Sequence, residues 1–382
     1  MQKKKRKIKV ALIINEFFGA DGTAFGGYGF LARKYIAKYI PDEDIELDVL
    51  VDQTRYKFRK TQVDGVNLYR LPSRFGLARL WLWWKNYDVY LSVELVTDFF
   101  LRHEPRKDKK LVLWIQDPRP WSEWREINTV EKFPEPCYYN QSLYDYAHEW
   151  YRQGRIRFVS QAHFLNEKAI DLYRLPNNVP IQYLPNPIDL DLKFDVTTFP
   201  KKNHVIFLGR IESVKRGWLF CEIAKALPEY EFYMLGQTFR EADENTAIMA
   251  PYKNLTNLHF AGHVDGEVKE TFLKEAKVLV NTSIHEALPI SFLEALAYGT
   301  LLVSCRNPED LTARFGEFVG TVLGDGYEQV PLFVDAVRRL MEDEPRRTRL
   351  AAEAVAYIRE VHNVPRFVRD LRAVLHETAQ NA

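Results

Sequence analysis

Cysteine is scarce in this chain, and so is any long uninterrupted apolar run. The three cysteines, Cys137, Cys221 and Cys305, are odd in number, far apart and never spaced Cys-x-x-Cys. Neither a disulfide framework nor a zinc site is indicated, and the pattern fits a reducing cytoplasm. The most apolar region, Leu77 to Val96, is interrupted by Lys85, Asn86, Asp88 and Glu94, so it cannot cross a bilayer. No leader peptide is expected, because the basic start runs into a short strand-like stretch broken by Asn15 and Glu16. Net charge is nearly absent as well: 53 Lys+Arg against 52 Asp+Glu leave a formal +1, which gives no global field to select nucleic acid.

What charge there is lies in local clusters. Lys3, Lys4, Lys5, Arg6 and Lys7 form a basic run ahead of the first apolar stretch. It reads either as a solubilising tail or as a contact with anionic lipid headgroups, where each basic residue contributes about 1 kcal/mol. The expectation is a cytoplasmic protein, soluble or peripheral on the cytoplasmic membrane face. Trp81, Trp83 and Trp84 suggest a buried helix or an interfacial surface, with the core as the expected place.

At 382 residues the chain exceeds one ordinary core, and two domains are expected. Short β-rich runs alternate with helix-period segments, which argues for α/β architecture with parallel sheets. In the first half the strand candidates are Ile8–Asn15, Ile45–Asp52, Val66–Leu71, Val89–Glu94, Leu111–Gln116 and Ile156–Ser160, with helices at Tyr28–Tyr39 and Ala162–Tyr173. Leu184–Asp195 breaks the pattern with Pro185, Pro187 and several aspartates, as a linker does. A second series follows at Val205–Leu208, Phe232–Leu235, Leu258–Ala261, Val278–Thr282 and Leu301–Ser304. Helical spacing then takes over after Gln329, and Pro365 starts a final helix with Phe367, Val368, Leu371 and Leu375 on one face. The division expected is 1–187, 188–363, and a C-terminal helix over 364–382 packing back on the first domain.

The most informative stretch runs from Asn281 to Gly299. A strand leads to a loop, a helix opens at Pro289, and Gly299 stops it. Ala287 and Leu288 carry no side-chain oxygen for a cap, so the first N–H groups, around Ile290 and Ser291, are left for an external acceptor such as phosphate, or for water or Ser283. Glu286 and Glu294 bracket the turn. In the helix, the Glu294 carboxylate is able to accept from vicinal hydroxyls, as in ribose binding. After the first strand of the second series come Gly209, for a tight turn, then Arg210 and Lys215. Two cations at a strand-to-helix junction hold a diphosphate well; surface basic residues paired with Glu212 give the same local pattern.

Taken together, Gly209-Arg210-x4-Lys215, Phe260–Gly262 and Ser283-x2-Glu286-x7-Glu294-Ala295-x3-Gly299 resemble the retaining glycosyltransferases of family four. The linker Leu184–Asp189 is similar to that family's bridge between domains. The resemblance is strong over roughly residues 183–305 and loose over the first half. It implies the GT-B fold: two Rossmann-like domains facing each other across a cleft, a UDP- or GDP-sugar donor, no permanently bound cofactor and no metal. By the same resemblance Arg210 and Lys215 grip the donor diphosphate, Glu286 touches the sugar and Glu294 the ribose. Leu288, Pro289, Ile290 and Ser291 line phosphate and sugar, and Gly262, His263 and Val264 hold the base. Gly26 and Gly27 match the glycine loop facing the donor phosphates, where glycine permits close backbone approach.

The chain also departs from the family. Ala287 stands where the family usually has glycine, and the expected first-domain histidine is replaced by Ile115-Gln116-Asp117-Pro118-Arg119. Asp117 is the candidate substitute for electrostatic or proton handling, and Arg119 for binding an anionic part of a substrate; His103, His148 and His163 remain alternatives. Trp121 and Trp124 offer faces for sugar stacking, with ordinary packing expected. Asp189-Leu190-Asp191 spells a metal motif of other glycosyltransferases, but its place in the proline-bounded linker argues against a metal role. The function expected is a retaining glycosyltransferase acting on a glycan, glycolipid or other hydroxyl acceptor in glycan or glycolipid biosynthesis. A nucleotide-sugar epimerase of the same fold, and an inactive nucleotide-sugar-binding protein, are the alternatives.

Overall fold

The computed structural model describes residues 6–238 and 242–380. Of the basic run, Lys3, Lys4 and Lys5 lie outside the described residues. The chain divides into two compact units: residues 1–118, 140–187 and 364–382 form one, and residues 119–139 and 188–363 the other.

The first unit is built on an eight-stranded sheet: β1 (Ile8–Ile14), β2 (Ile45–Thr54), β3 (Arg59–Val63), β4 (Val66–Pro72), β5 (Val89–Val93), β6 (Lys110–Ile115), β7 (Ile156–Ser160) and β8 (Ile181–Tyr183). Their order is β3-β4-β2-β1-β5-β6-β7-β8. Among the described residues only the β3–β4 pair of this sheet is antiparallel. Parallel strands covered on both faces read as continuous apolar runs, and Val10 to Ile14 are all fully buried. The helical run over residues 27–39 winds as a π-helix in its middle, Ala32–Ile36. The last helix, Val364–Gln380, buries Phe367, Leu371, Val374 and Leu375, and Phe367 stacks on Trp114 of β6 at 5.3 Å between ring centroids.

The second unit has six parallel strands: β9 (His204–Leu208), β10 (Glu231–Leu235), β11 (Leu258–Gly262), β12 (Val278–Asn281), β13 (Leu301–Ser304) and β14 (Gly316–Phe318). The order β11-β10-β9-β12-β13-β14 is the doubly wound dinucleotide-fold order, with its reversal between β9 and β12.

Two expectations need correction. Residues 119–139, placed in the first domain by chain order, pack in the second unit. The cause is apolar: Trp124, Ile127, Val130 and Phe133 are buried in the same cluster as Val205, Phe207 and Trp218. Asp325 pins the segment further, its Oδ1 accepting from the backbone N–H of Glu131 at 3.0 Å and of Lys132 at 2.9 Å. Trp83 and Trp84, expected in the core, are exposed on the helix Leu77–Lys85, because Ala78 and Leu82 supply its buried face. Among the described residues no helix is long and apolar enough to cross a membrane.

Candidate functional site

In a doubly wound sheet the crevice opens beyond the carboxyl ends of the strands where the order reverses. In the second unit that point lies after β9 and β12, so the loops bearing Gly209–Lys215 and Thr282–Pro289 share one end of the sheet. They are tied directly, since the Ile284 N–H donates to the Val214 carbonyl at 2.9 Å.

Lys215 closes a 3-10 turn, Ser213–Lys215, and its Nζ lies 2.6 Å from Glu286 Oε1. The same carboxylate accepts from Ser283 Oγ at 2.6 Å and Asn281 Nδ2 at 2.9 Å. Burial works against the charge, but Lys215 and these donors outweigh it and hold the Glu286 carboxyl below the usual carboxylate range. Arg210 is 40% exposed, with its guanidinium 3.5 Å from the buried Glu212 carboxylate, so a cationic head stays within reach of solvent.

Gly209 does not serve a forced turn. A Cβ there would meet nothing nearer than the Phe207 ring at 3.8 Å, whereas one on Gly236 would lie 1.8 Å from the Gly209 carbonyl oxygen. Gly236 is therefore the glycine that packing demands, and Gly209 leaves open backbone beside the loop.

Pro289 stands just outside the helix Ile290–Ala297, at its N-cap, rather than as its first residue, and no side chain caps this end. With no side-chain oxygen there, the helix start offers backbone N–H groups and the positive end of its dipole to an anion. Glu294, in the second turn, accepts from Lys269 Nζ at 2.9 Å, and burial raises its pKa despite that cation. Lys269 belongs to the helix Gly266–Glu275, which follows Gly262, His263 and Val264 at the end of β11. His263 is exposed and Val264 half-buried. Ala287 and Leu288 complete the loop, and Ala287 is absent from the left-handed residues, so its backbone does not require glycine.

Gly26, Gly27 and Asp117 lie in the first unit. A Cβ on Gly26 would fall 2.0 Å from Glu16 Oε1, and that oxygen also accepts from the Gly29 N–H at 3.1 Å. The helix start expected to face a phosphate thus carries the chain's own carboxylate. The Asp117 N–H donates to Glu94 Oε2 at 2.7 Å and the Gln116 N–H to the same oxygen at 2.8 Å. Glu94, in the left-handed region at φ 56°, is a buried carboxylate whose pKa is raised by burial. A cavity of about 410 Å³ opens at the carboxyl ends of β1 and β2, lined by Asn15, Asp52, Arg70, Thr97 and Phe100 among others. A second one, of about 310 Å³ and bordered by Lys201 and Arg347, contains none of the donor-site candidates.

Several residues around the site carry no sequence signal. Arg216, fully buried with φ 46°, donates to the Thr282 carbonyl at 2.8 Å, the Gly324 carbonyl at 2.9 Å and Cys305 Sγ at 3.3 Å. It looks like a surface cation in Val-Lys-Arg-Gly-Trp, yet it fastens the loop after β12. The segment 119–139 supplies two carboxylates to the loops after β9 and β12 and a third to Arg306, after β13. Glu123 Oε2 is 2.5 Å from His285 Nδ1, Glu135 Oε2 accepts from Ser213 Oγ at 2.9 Å, and Glu126 Oε2 is 3.4 Å from Arg306. Arg306 in turn donates to the Ile284 carbonyl. Trp124 is core, Trp121 is exposed, and Arg119 stacks over Trp124 rather than standing free. Asp191, of the rejected metal motif, pairs with Lys274 at 3.0 Å. Among the described residues no group of three or more His, Cys, Asp or Glu side chains is placed to hold a metal ion.

Two doubly wound parallel-sheet units in one chain define the GT-B class of fold, and solved structures of that class agree. Sucrose-phosphate synthase from Thermosynechococcus elongatus superposes with a TM-score of 0.74 at 12% identity, over 98% of this chain and 100% of the other. A glycosyltransferase from Rickettsia africae gives 0.69 at 11% identity over 99% and 100%. Anabaena HepE in complex with UDP and glucose gives 0.65 at 11% identity over 97% and 100%. No curated protein matches by sequence. Residues 190–356 match the family described as glycosyl transferases group 1, and this stretch holds the whole constellation from Gly209 to Gly299. The resemblance read from those motifs stands, and family and fold together support a nucleotide-sugar glycosyltransferase.

Proposed function

We propose that this protein is a retaining, metal-independent glycosyltransferase that moves a sugar from a UDP- or GDP-sugar to the hydroxyl of a glycan, glycolipid or other acceptor. The observation that carries the reading is the meeting of Lys215 and Glu286 at 2.6 Å, at the reversal point of a doubly wound sheet. Arg210 lies on the loop before Lys215, and an uncapped helix follows Glu286. The cations and the helix start oppose the charge that grows on a departing diphosphate. Glu286, kept ionised, accepts from hydroxyls of the donor sugar, and Glu294 accepts from the ribose. Gly209, Leu288, Pro289, Ile290 and Ser291 present backbone to phosphate and sugar, while His263 and Val264 border the base. The bound UDP of the HepE structure favours uridine among the bases.

In the proposed reaction the bond from the anomeric carbon to the diphosphate oxygen breaks as the bond to the acceptor oxygen forms on the same face. The acceptor proton passes to a diphosphate oxygen, so configuration is kept and a nucleoside diphosphate leaves. The acceptor belongs to the first domain, where Asp117, held by Glu94, is the proposed electrostatic or proton-handling group. Gly26 and Gly27 take a secondary part, because Glu16 occupies their neighbourhood.

Thermal stabilisation by a panel of nucleotides and nucleotide sugars tests the donor site. A ligand at a hundred times its dissociation constant adds about 2.7 kcal/mol. The expected result is a response to one diphosphate nucleotide that both Glu294→Ala and Arg210→Ala abolish. No response from the folded protein overturns the donor assignment. Product analysis then separates activities: a new glycoside with retained configuration supports transfer. An altered nucleotide sugar formed without acceptor indicates an epimerase, and binding without turnover an inactive binder.

A further inference from the structure

We infer that the helix Leu77–Lys85, together with the loop between β2 and β3, is a docking surface for an anionic lipid bilayer. The inference stands independently of the donor-site reading. Residues 53–63 contain four basic side chains and no acid, and residues 73–85 three and no acid. Within them, large apolar side chains face water: Phe75 is 80% exposed, Leu80 63%, Trp83 55% and Trp84 69%. The helix spends only Ala78 and Leu82 on the core.

Loop and helix form one surface. Phe58 lies 6.0 Å from the Trp81 ring, and the Arg74 guanidinium is 4.9 Å from the ring of Tyr56. Arg106 lies 5.8 Å from the Trp83 ring and donates to its carbonyl at 2.7 Å, holding the outer turn of the helix in place. Arg55, Lys57, Lys60, Arg74 and Arg79 are exposed around this apolar crest.

Exposed tryptophans beside a basic rim match the headgroup level of a bilayer, where indole rings settle at the interface and cations meet anionic lipid. A second copy of the chain fits less well. An isologous contact sets the same patch against itself, and here it would oppose two predominantly basic rims. The contact assigned is a folded surface of the first unit, distinct from the basic run Lys3–Lys7 that the sequence left open between a tail and a lipid contact.

Flotation of the full chain with vesicles of phosphatidylcholine, and of equimolar phosphatidylcholine and phosphatidylglycerol, tests this. Binding is expected to the anionic vesicles only, weakening with salt. Trp83→Ser/Trp84→Ser and Arg74→Glu/Arg79→Glu are each expected to lower it about tenfold or more. All four positions are exposed, so an unchanged melting temperature and nucleotide response show that fold and donor site persist. Three results would overturn the inference. One is no binding to anionic vesicles. Another is binding that both variants leave intact, which returns the contact to Lys3–Lys7. The third is a dimer that the tryptophan variant dissociates, with no vesicle binding, which assigns the patch to a second copy.

Discussion

Lys215 and Glu286 meet at 2.6 Å, and both side chains are largely withdrawn from water. Removing one partner of such a pair strands the other's charge, at a cost of about 3–5 kcal/mol. Lys215→Met is expected to destabilise the protein on that scale, softened by the donors Ser283 and Asn281. Adding Glu286→Gln in the same chain is expected to restore part of the loss without restoring transfer. Urea unfolding of parent, single and double variants reads this directly; a Lys215→Met protein as stable as the parent contradicts the pairing.

The two site glutamates titrate in opposite directions. Glu286 is held below the ordinary range, so its contribution to stability is complete above the unfolded value, about 4.3, and is lost as pH falls through the folded one. The stability difference between parent and Glu286→Gln should therefore be flat from neutral pH down to about 4.3 and shrink progressively below it. Glu294 is raised by burial, so it takes up its proton earlier on acidification. Donor affinity is expected to weaken in mild acid, and Glu294→Gln to flatten that profile. Isothermal titration at several pH values checks both the sign and the residue.

Gly236→Ala places a Cβ 1.8 Å from the Gly209 carbonyl oxygen, where only backbone can yield. Overpacking of this kind costs about 1–3 kcal/mol, and the displaced loop carries Arg210, so donor affinity should fall as well. Gly209→Ala is the contrast. Its Cβ has 3.8 Å of clearance, so stability should hold while donor affinity drops if phosphate rests against that backbone. Melting curves with and without nucleotide distinguish the two variants.

Glu123 holds His285, the residue next to Glu286, at 2.5 Å. Glu123→Gln replaces a charged acceptor by a neutral one and should cost about 1–3 kcal/mol. Donor dissociation constants should rise in parallel, because the Ser283–Glu286 loop loses one of its anchors. A stability loss with unchanged donor affinity would make the contact purely architectural.

Ala287→Gly tests the departure from the family pattern. The alanine backbone is unstrained, so glycine should cost only about 0.5–1 kcal/mol. The gain should be room beside the donor sugar, seen as altered KM among nucleotide sugars of different bulk.

Legibility from sequence followed burial and locality. Strands such as β7 and β13 were readable to the residue, because they are short runs of mostly apolar, mostly buried positions. β3 was missed: Arg59-Lys60-Thr61-Gln62-Val63 is an exposed edge with no apolar period. β8 and β14 were missed because three residues carry no pattern. At the site, the local motif from Asn281 to Gly299 was visible, whereas its supports were not. Arg216, His285, Glu123 and Lys269 act through contacts spanning tens to more than a hundred positions, and spacing along the chain holds no trace of such partners. The tryptophans of Leu77–Lys85 misled for a related reason: apolar content alone does not tell which face a helix turns to water.

The route of the chain has a consequence for its biosynthesis. Segment 119–139 is made long before the β9–β14 sheet whose core it enters, and helix Val364–Gln380 is made after that sheet although it packs on the earlier one. The first unit cannot finish until residues 364–380 are made, whereas all of the second has been made once residue 363 emerges. The early sheet must wait for residues 364–380, with its Trp114 face open, and the excised fragment 188–363 would lack Trp124, Ile127 and Phe133. Removing residues 364–382 should therefore impair the first unit, whereas cutting the chain between residues 139 and 188 should leave the second without part of its core.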